Sequence, residues 1–348
     1  MQDSLFPDLP LPPDVPRPVH SPSDVVPWTV EAETASAAAR LPPTLRLGTS
    51  SWNYPGWAGI VWDGEYAENA LSRFGLTAYA LHPLMRAVSL DRAFYRAMTV
   101  AQFQAHAAQV PDDFRFVVKA PNLVTDAKSR DKSGHRVLPN PDFLSAEAAV
   151  RDFALPALDG LGHKLGALVF QLSPLPADLL ADRAGLMRRL GDMLAALPDL
   201  RTAAPDAAVA VEVRDPVWLS EDWMPDFSAV LRDAGATFCL GLHARMPAID
   251  GQLAMLRRLW PGPLVCRWNL HRMHGGPGGF EEAERLYAPF AAMRDPDPET
   301  RQVLAKVILA TTRAGYNAYV TVSNKAEGSA PRTVVALAEE IRRQAGTA

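Results

Sequence analysis

Eight short apolar runs, each followed at once by a polar or charged residue, are spaced along the chain between Leu45 and Asn324. They are Leu45 to Thr49, Met85 to Leu90, Phe114 to Val118, Ala167 to Leu172, Ala208 to Val213, Ala236 to Leu242, Pro263 to Trp268 and Ala318 to Val322. Continuous apolar runs of this length suit strands buried on both faces, the condition of a parallel sheet. Each gap is long enough for a crossover connection. Helical spacing recurs from Val100 to Val110, Ala146 to Leu158, Ala177 to Leu197, Phe227 to Ala234, Ile249 to Trp260, Phe280 to Met293, Glu299 to Gly315 and Arg332 to Gln344. Strands and helices therefore alternate as an α/β domain requires. The pattern predicts a TIM-like (β/α)8 barrel, whose chemistry gathers at the C-terminal ends of its strands.

Such a barrel takes roughly 250 residues and accepts insertions, so the 348 residues read as one barrel over residues 44–345 preceded by an arm over residues 1–43. Pro7, Pro10, Pro12, Pro13, Pro16, Pro18, Pro22 and Pro27 interrupt the arm. Proline has no amide proton for a helix or ladder, and the arm reads as flexible and partly extended. In a second reading it wraps the barrel or caps its bottom, anchored by Leu5, Phe6 and Trp28. Two polar connections, Asn122 to Asp142 and Asn269 to Gly279, follow strands and are expected on the catalytic face, where long loops serve as lids. The first of them carries Lys128, Arg130, Asp131, Lys132, His135 and Arg136.

The net charge of −4 gives no global attraction to nucleic acid or to anionic membranes. No apolar stretch reaches the roughly 18 residues of a membrane helix, and the first residues lack the basic and apolar regions of a secretory leader. The two cysteines, Cys239 and Cys266, each sit inside an apolar run, as small buried hydrophobes do. These features predict a cytoplasmic protein with neither membrane nor nucleic acid as a partner. The sequence leaves the oligomeric state open.

The strand ends supply the candidate site. Lys119 closes a run that should be buried on both faces, which points its amine into the barrel mouth. Desolvation and neighbouring cations can depress such an amine into a Schiff-base nucleophile. It can equally hold an anion, or form a structural ion pair with Glu212. In the fifth run the period of two puts Glu212 and Arg214 on one face, where they form either a general base steered by an arginine or an internal salt bridge. Arg267 and Asn269 repeat that spacing at the seventh run, Gln171 lies near the end of the fourth, and Asp91 and Asn324 follow the second and eighth. Ser51, Trp52, Tyr54 and Tyr95 lie in the loops after the first two runs and are placed as pocket walls, with aromatic rings that stack on a sugar or simply roof the site.

His271 and His274 stand three apart in a glycine-rich stretch, which lacks the four-residue helical spacing and clustered carboxylates of a zinc protease. No metal site and no cofactor are expected, and no glycine-rich phosphate loop or nucleophile elbow appears.

The chain resembles the YecE-like family, also called domain of unknown function 72. The resemblance rests on Gly48-Thr49-Ser50-Ser51-Trp52-Asn53-Tyr54 with Trp57, on Phe94-Tyr95, and on Phe114 to Pro121. It extends through Gln171-Leu172, Val211-Glu212-Val213-Arg214 with Trp218, and Asn324-Lys325-Ala326-Glu327-Gly328-Ser329-Ala330-Pro331. It spans about Leu45 to Gln344 and implies a TIM-barrel-like fold with no settled activity. Where the family commonly shows Glu-x-Asn-Ser-x-Phe-Tyr, this chain has Ser89-Leu90-Asp91-Arg92-Ala93-Phe94-Tyr95, so the acidic group is lost or moved to Asp91. The usual Arg and His after the Lys-x-Pro segment are Asn122 and Asp126, the His after Glu-x-Arg is Asp215, and the His-Gly after the seventh strand is Trp268-Asn269.

The expected activity is acid/base chemistry on a small, polar, anionic and sugar-like metabolite. Glu212 and Lys119 are the candidate catalytic residues, and Arg214, Arg267, Asn269, Asn324, Gln171, Ser51, Trp52, Tyr54, Tyr95 and Asp91 the candidate binding residues. A non-catalytic binding or sensing barrel is the alternative. Metal-dependent nucleic-acid processing is a third reading, for which the strand ends offer too few ligands.

Overall fold

The computed structural model of the protein describes residues 25–130 and 136–346. Ten strands follow the chain: β1 (Leu45–Thr49), β2 (Ala87–Leu90), β3 (Arg115–Lys119), β4 (Lys128–Arg130), β5 (Arg136–Pro139), β6 (Leu165–Gln171), β7 (Ala208–Glu212), β8 (Thr237–Leu242), β9 (Leu264–Trp268) and β10 (Ala318–Val322). All except β4 and β5 pair in parallel around a closed barrel in the order β1-β2-β3-β6-β7-β8-β9-β10, and β10 returns to β1. Each of the eight apolar runs overlaps one barrel strand, with ends that coincide or differ by one or two residues. The fold is the (β/α)8 barrel that the run pattern predicts.

Because strand side chains alternate, each barrel strand feeds two compartments. Inside the barrel lie Val117, Ala167, Val169, Ala208, Ala210, Cys239, Val265 and Tyr319. The alternate residues, such as Phe116, Leu168, Val211, Leu240 and Cys266, join the larger core between barrel and helices. Both cysteines are free and buried. The inner set is mostly small, so the longer side chains at the strand ends find room above it. Arg115 closes the N-terminal end of the barrel, donating to Asp206 at 2.7 Å, while the Tyr319 hydroxyl donates to the Asp206 carbonyl at 2.6 Å.

Three elements differ from the sequence expectation. A helix at Glu68–Ala80 follows the first loop; Gly75 weakens its helical signal, and the helix is tied to Trp52, whose Nε1 donates to the Leu71 carbonyl at 3.1 Å. The helical stretch from Ala146 holds a wide π turn at Val150–Ala154, which absorbs Pro156, a residue with no amide proton for the regular ladder. The third is the segment before β1. From Trp28 to Leu41 it is free of proline and rich in alanine, and it forms a helix at Ala32–Ala39 beside the C-terminal helix Ala330–Gly346.

That segment is also tied to the loop that follows β1 at the C-terminal side of the barrel. The Trp28 amide donates to the Val61 carbonyl at 2.8 Å, the Asp63 amide to the Val26 carbonyl at 3.1 Å, and the Val26 amide to the Tyr66 hydroxyl at 3.1 Å. Residues 25–43 thus lie along the barrel, with Trp28 serving through its backbone while its ring stays largely exposed. Leu5, Phe6 and the prolines up to Pro22 lie outside the described residues, as do Asp131, Lys132 and His135. The Asn122 to Asp142 connection holds a short helix, Asn122–Thr125, and the antiparallel β4–β5 pair.

Gly48 shows how closely the first two strands approach. A Cβ placed there would stand 1.8 Å from the Ala87 carbonyl oxygen, a backbone atom that has no rotamer to escape into. Gly48→Ala should therefore lower stability by more than about 3 kcal/mol, read as a shift in the urea unfolding midpoint. An unchanged midpoint would contradict the contact.

Candidate functional site

The C-terminal mouth of the barrel holds a buried ion cluster. Glu212 ends β7 on the same face as Ala208 and Ala210, and is fully buried. Its Oε1 accepts from Arg214 Nη2 at 2.5 Å and from Asn269 Nδ2 at 3.3 Å, while Oε2 accepts from Arg267 Nη1 at 2.6 Å and faces Cys239 Sγ at 3.9 Å. Arg267, itself 2% exposed, turns Nη2 to Asp91 Oδ2 at 2.6 Å. Ser89 Oγ donates to the other Asp91 oxygen at 2.5 Å. Gln171 Oε1 accepts from Arg214 Nη2 at 3.1 Å and from Arg267 Nη1 at 3.4 Å.

Burial alone pushes the Glu212 carboxyl up, but the Arg214 and Arg267 guanidiniums outweigh it and bring it down to about 2. Burial likewise opposes the Arg267 charge, and Asp91 with Glu212 more than offsets it, so its pKa rises. Burial lowers Arg214 from a starting point far above neutrality, which leaves that guanidinium charged. Glu212 is thus an ionised carboxylate with both oxygens occupied, and its direct effect is to fix two guanidiniums.

Lys119 ends β3 above the inward-facing Val117 and is 9% exposed. Its Nζ lies 3.5 Å from the Phe94 ring centroid. Among the described residues no carboxylate oxygen stands within the 4.0 Å of an ion pair. The structural pair with Glu212, one of the three sequence readings, is not formed, because guanidiniums already fill that carboxylate's contacts. Burial, then Arg267, bring the Lys119 amine down to about 7; Arg214 adds to this, while Asp91 and Glu212 oppose it.

Lys119, Gln171 and Arg214 open into a cleft of about 540 Å³. His243, Arg245, Gly276, Gly278, Gly279 and Phe280 also line it. The Arg214 Nε is buried there without a hydrogen-bond partner. His243 is pushed down to about 3 by burial and by Arg214, so it is neutral at ordinary pH. Sequence reasoning passed over Ser173, Arg245 and Phe280, which line the cleft together with His243. The available signal was position: Ser173, His243 and Arg245 fall within three residues of a strand end.

Other candidates sit apart. Ser51, Trp52, Asp91 and Tyr95 line a second pocket of about 420 Å³, with Asn53, Ser72 and Ser89. Tyr95 is exposed, whereas Trp52 presents little surface. Tyr54 packs against Trp57 and Phe290 at 4.9 and 5.4 Å between ring centroids, and burial pushes its hydroxyl up to about 12. Asn324 is 1% exposed and its Oδ1 accepts from Trp57 Nε1 at 3.2 Å and from the Ala330 amide at 2.9 Å. It joins the first loop to the C-terminal helix instead of facing the cleft. Asn269 supports Glu212 and also donates to the Arg267 carbonyl at 3.1 Å.

The two loop histidines are used separately. His274 meets the Tyr287 hydroxyl at 2.9 Å and Glu282 at 3.4 Å, while His271 Nδ1 accepts from the Met273 amide at 3.3 Å. Among the described residues no three His, Cys, Asp or Glu side chains converge as a metal ion requires, and no helix is long and apolar enough to cross a membrane. Lys325 pairs with Glu284 and lies over the Phe280 ring, holding the Gly279–Tyr287 helix against the barrel.

Removing the Glu212 charge leaves two buried guanidiniums short of a counter-ion. Glu212→Gln should cost about 3–5 kcal/mol of stability, measured by chemical denaturation near pH 7. The wild-type carboxyl titrates lower in the folded state than in the unfolded one, so its stabilisation is complete above the ordinary glutamate range and disappears as the pH falls toward about 2. That component of acid unfolding should be absent from the variant. Equal acid sensitivity in both proteins would count against the ion pair.

The comparisons agree with this architecture. The family model described as "Protein of unknown function DUF72" matches residues 46–348. The structure is similar to that of a DUF72 family protein from Enterococcus faecalis V583, with 14% identity, a TM-score of 0.54, and coverage of 86% of this chain and 95% of that one. A DUF72 family protein from Thermotoga maritima MSB8 is similar at 16% identity and a TM-score of 0.48, over 87% and 99% of the two chains. No curated protein matches the sequence. With the family model covering the whole barrel, the chain belongs to the DUF72 family.

Proposed function

We propose that this protein is an enzyme acting on a small polar anion by acid/base chemistry at the C-terminal face of the barrel. One observation supports the reading above others. An amine near pKa 7, nine-tenths buried, lines the cleft without an ion pair, while both carboxylates beside it are held by a guanidinium. A group that titrates near the working pH is the efficient proton carrier, which gives that role to Lys119. Glu212, held near 2, positions Arg214 and Arg267 by its charge.

Arg214 with Gln171, and Arg245 at the rim, offer contacts to an anionic group. The neighbouring pocket, lined by Ser51, Ser89, Asp91 and Tyr95, suits a hydroxyl-rich portion of the ligand such as a sugar-like chain. Hydrolysis, lyase chemistry and isomerisation all use these parts. A non-catalytic binding barrel is favoured by one feature, the full occupation of both Glu212 oxygens, which removes that carboxylate from proton traffic.

The test is thermal-shift screening of the wild type and Lys119→Met against sugar phosphates, organic acids and nucleotides, with mass spectrometry of every stabilising mixture. The expected result is an anion that raises the melting temperature of the wild type and is chemically changed by the wild type only. Stabilisation without chemical change in either protein would favour the binding barrel. A panel in which no anion shifts the wild type would overturn the anion site.

A further inference from the structure

The Lys119 amine has features that proton transfer alone does not require. It stands at a strand end over an apolar floor, Val117, with the Phe94 ring 3.5 Å away on one flank, and it reaches a cleft open to solvent. Among the described residues it has no carboxylate within ion-pair distance. The Asp91 and Glu212 charges are taken by Arg267 and Arg214, so neither carboxylate ties down the ammonium. Beside it, Arg214 keeps a buried Nε without a partner, and Arg245 faces the same cleft.

We infer that Lys119 captures an aldehyde or ketone carrying an anionic group, forming an imine with its carbonyl carbon. The inference rests on the reading of this cleft as an enzyme's anion site and adds the covalent step. The substrate's phosphate or carboxylate lies against Arg214 and Arg245, which brings its carbonyl over the amine. The nitrogen lone pair forms the C–N bond and the C=O π pair moves to oxygen, which takes up the proton that nitrogen releases. A second proton transfer from nitrogen to oxygen lets water leave as the C=N bond forms. The balance is amine plus carbonyl to imine plus water, without oxidant or reductant.

The amine must be neutral to attack. Burial and the Arg267 and Arg214 charges favour the neutral form; Asp91, Glu212 and the face of Phe94 favour the ammonium. The balance near 7 leaves a large neutral fraction at mildly alkaline pH. The resulting imine is an electron sink for the adjacent carbon. This selects lyase and isomerase chemistry over hydrolysis among the reactions considered above.

The test uses the full chain at pH 7.5 with glyceraldehyde 3-phosphate, dihydroxyacetone phosphate, pyruvate and glyoxylate, each with sodium cyanoborohydride, followed by intact-mass and peptide mapping. The expected product is a single adduct, the probe's mass less one oxygen, on Lys119. It should form at least about ten times faster than adducts on the exposed Lys128 and Lys306. Lys119→Arg and Lys119→Met, each checked for an intact melting transition, should lose it. Adducts spread evenly over surface lysines, or no adduct with any probe, would overturn the imine. Turnover of an anion by the wild type without trapping would keep the enzyme and remove the imine. Trapping without turnover would support the imine and count against the proposed acid/base activity.

Discussion

Arg267 is the interaction on which the mouth of the barrel depends. Its guanidinium is 2% exposed and bridges Glu212 at the end of β7 to Asp91 after β2, a residue 176 positions away in sequence. β9, which carries Arg267, is separated from β2 by β10 and β1 in the closed order, so the side chain reaches across the barrel interior. A buried ion of this kind costs several kcal/mol in lost hydration and is tolerated only with well-placed partners. The bidentate geometry of a guanidinium supplies them, where a lysine in the same place would offer a point charge. Two guanidiniums and two carboxylates cancel, and Lys119 is the group left with no opposite charge assigned to it. Its ease of deprotonation comes first from burial and then from the Arg267 charge, and among the described residues no carboxylate is paired with it to oppose them.

The interior below explains why such long side chains fit. Ala167, Ala208 and Ala210 keep the middle of the barrel narrow in content, and β8 presents Gly241 beside Glu212. A Cβ at Gly241 would lie 3.1 Å from Glu212 Cγ and 3.2 Å from Oε1, tighter than ordinary packing. The carboxylate thus occupies space that the next strand leaves open. Function at the mouth and small residues beneath it are one design, set by the period of two along each strand.

That same period made much of the site legible in the sequence. It placed Glu212 with Arg214 and Arg267 with Asn269 on shared faces, and it pointed Lys119 inward. The partner of Arg267 was not legible, because pairing across the barrel depends on strand order and stagger, which carry no local signal. Nor were the separate fates of the aromatic loop residues. Tyr54 and Asn324 serve as packing and as a tie between loop and helix, whereas Trp52 and Tyr95 border a different pocket from Lys119. The Glu68–Ala80 helix escaped notice because Gly75 interrupts its helical signal.

The acidic residue after β2 shows how a departure from a family pattern can preserve a site. Family members commonly carry Glu where this chain has Ser89, and a simple loss there would leave Arg267 with one buried carboxylate. Asp91 lies two residues further on, at the start of the turn that follows β2. Its shorter side chain starts closer to the rim, and Ser89 Oγ donates to it at 2.5 Å from the vacated position. The pair Ser89 and Asp91 thus does together what one longer carboxylate would do alone. It delivers a negative charge to Arg267 Nη2 at 2.6 Å and leaves a third of the Asp91 side chain exposed to the second pocket. Asp91 thus completes the charge balance around Lys119 while part of its carboxylate faces the second pocket.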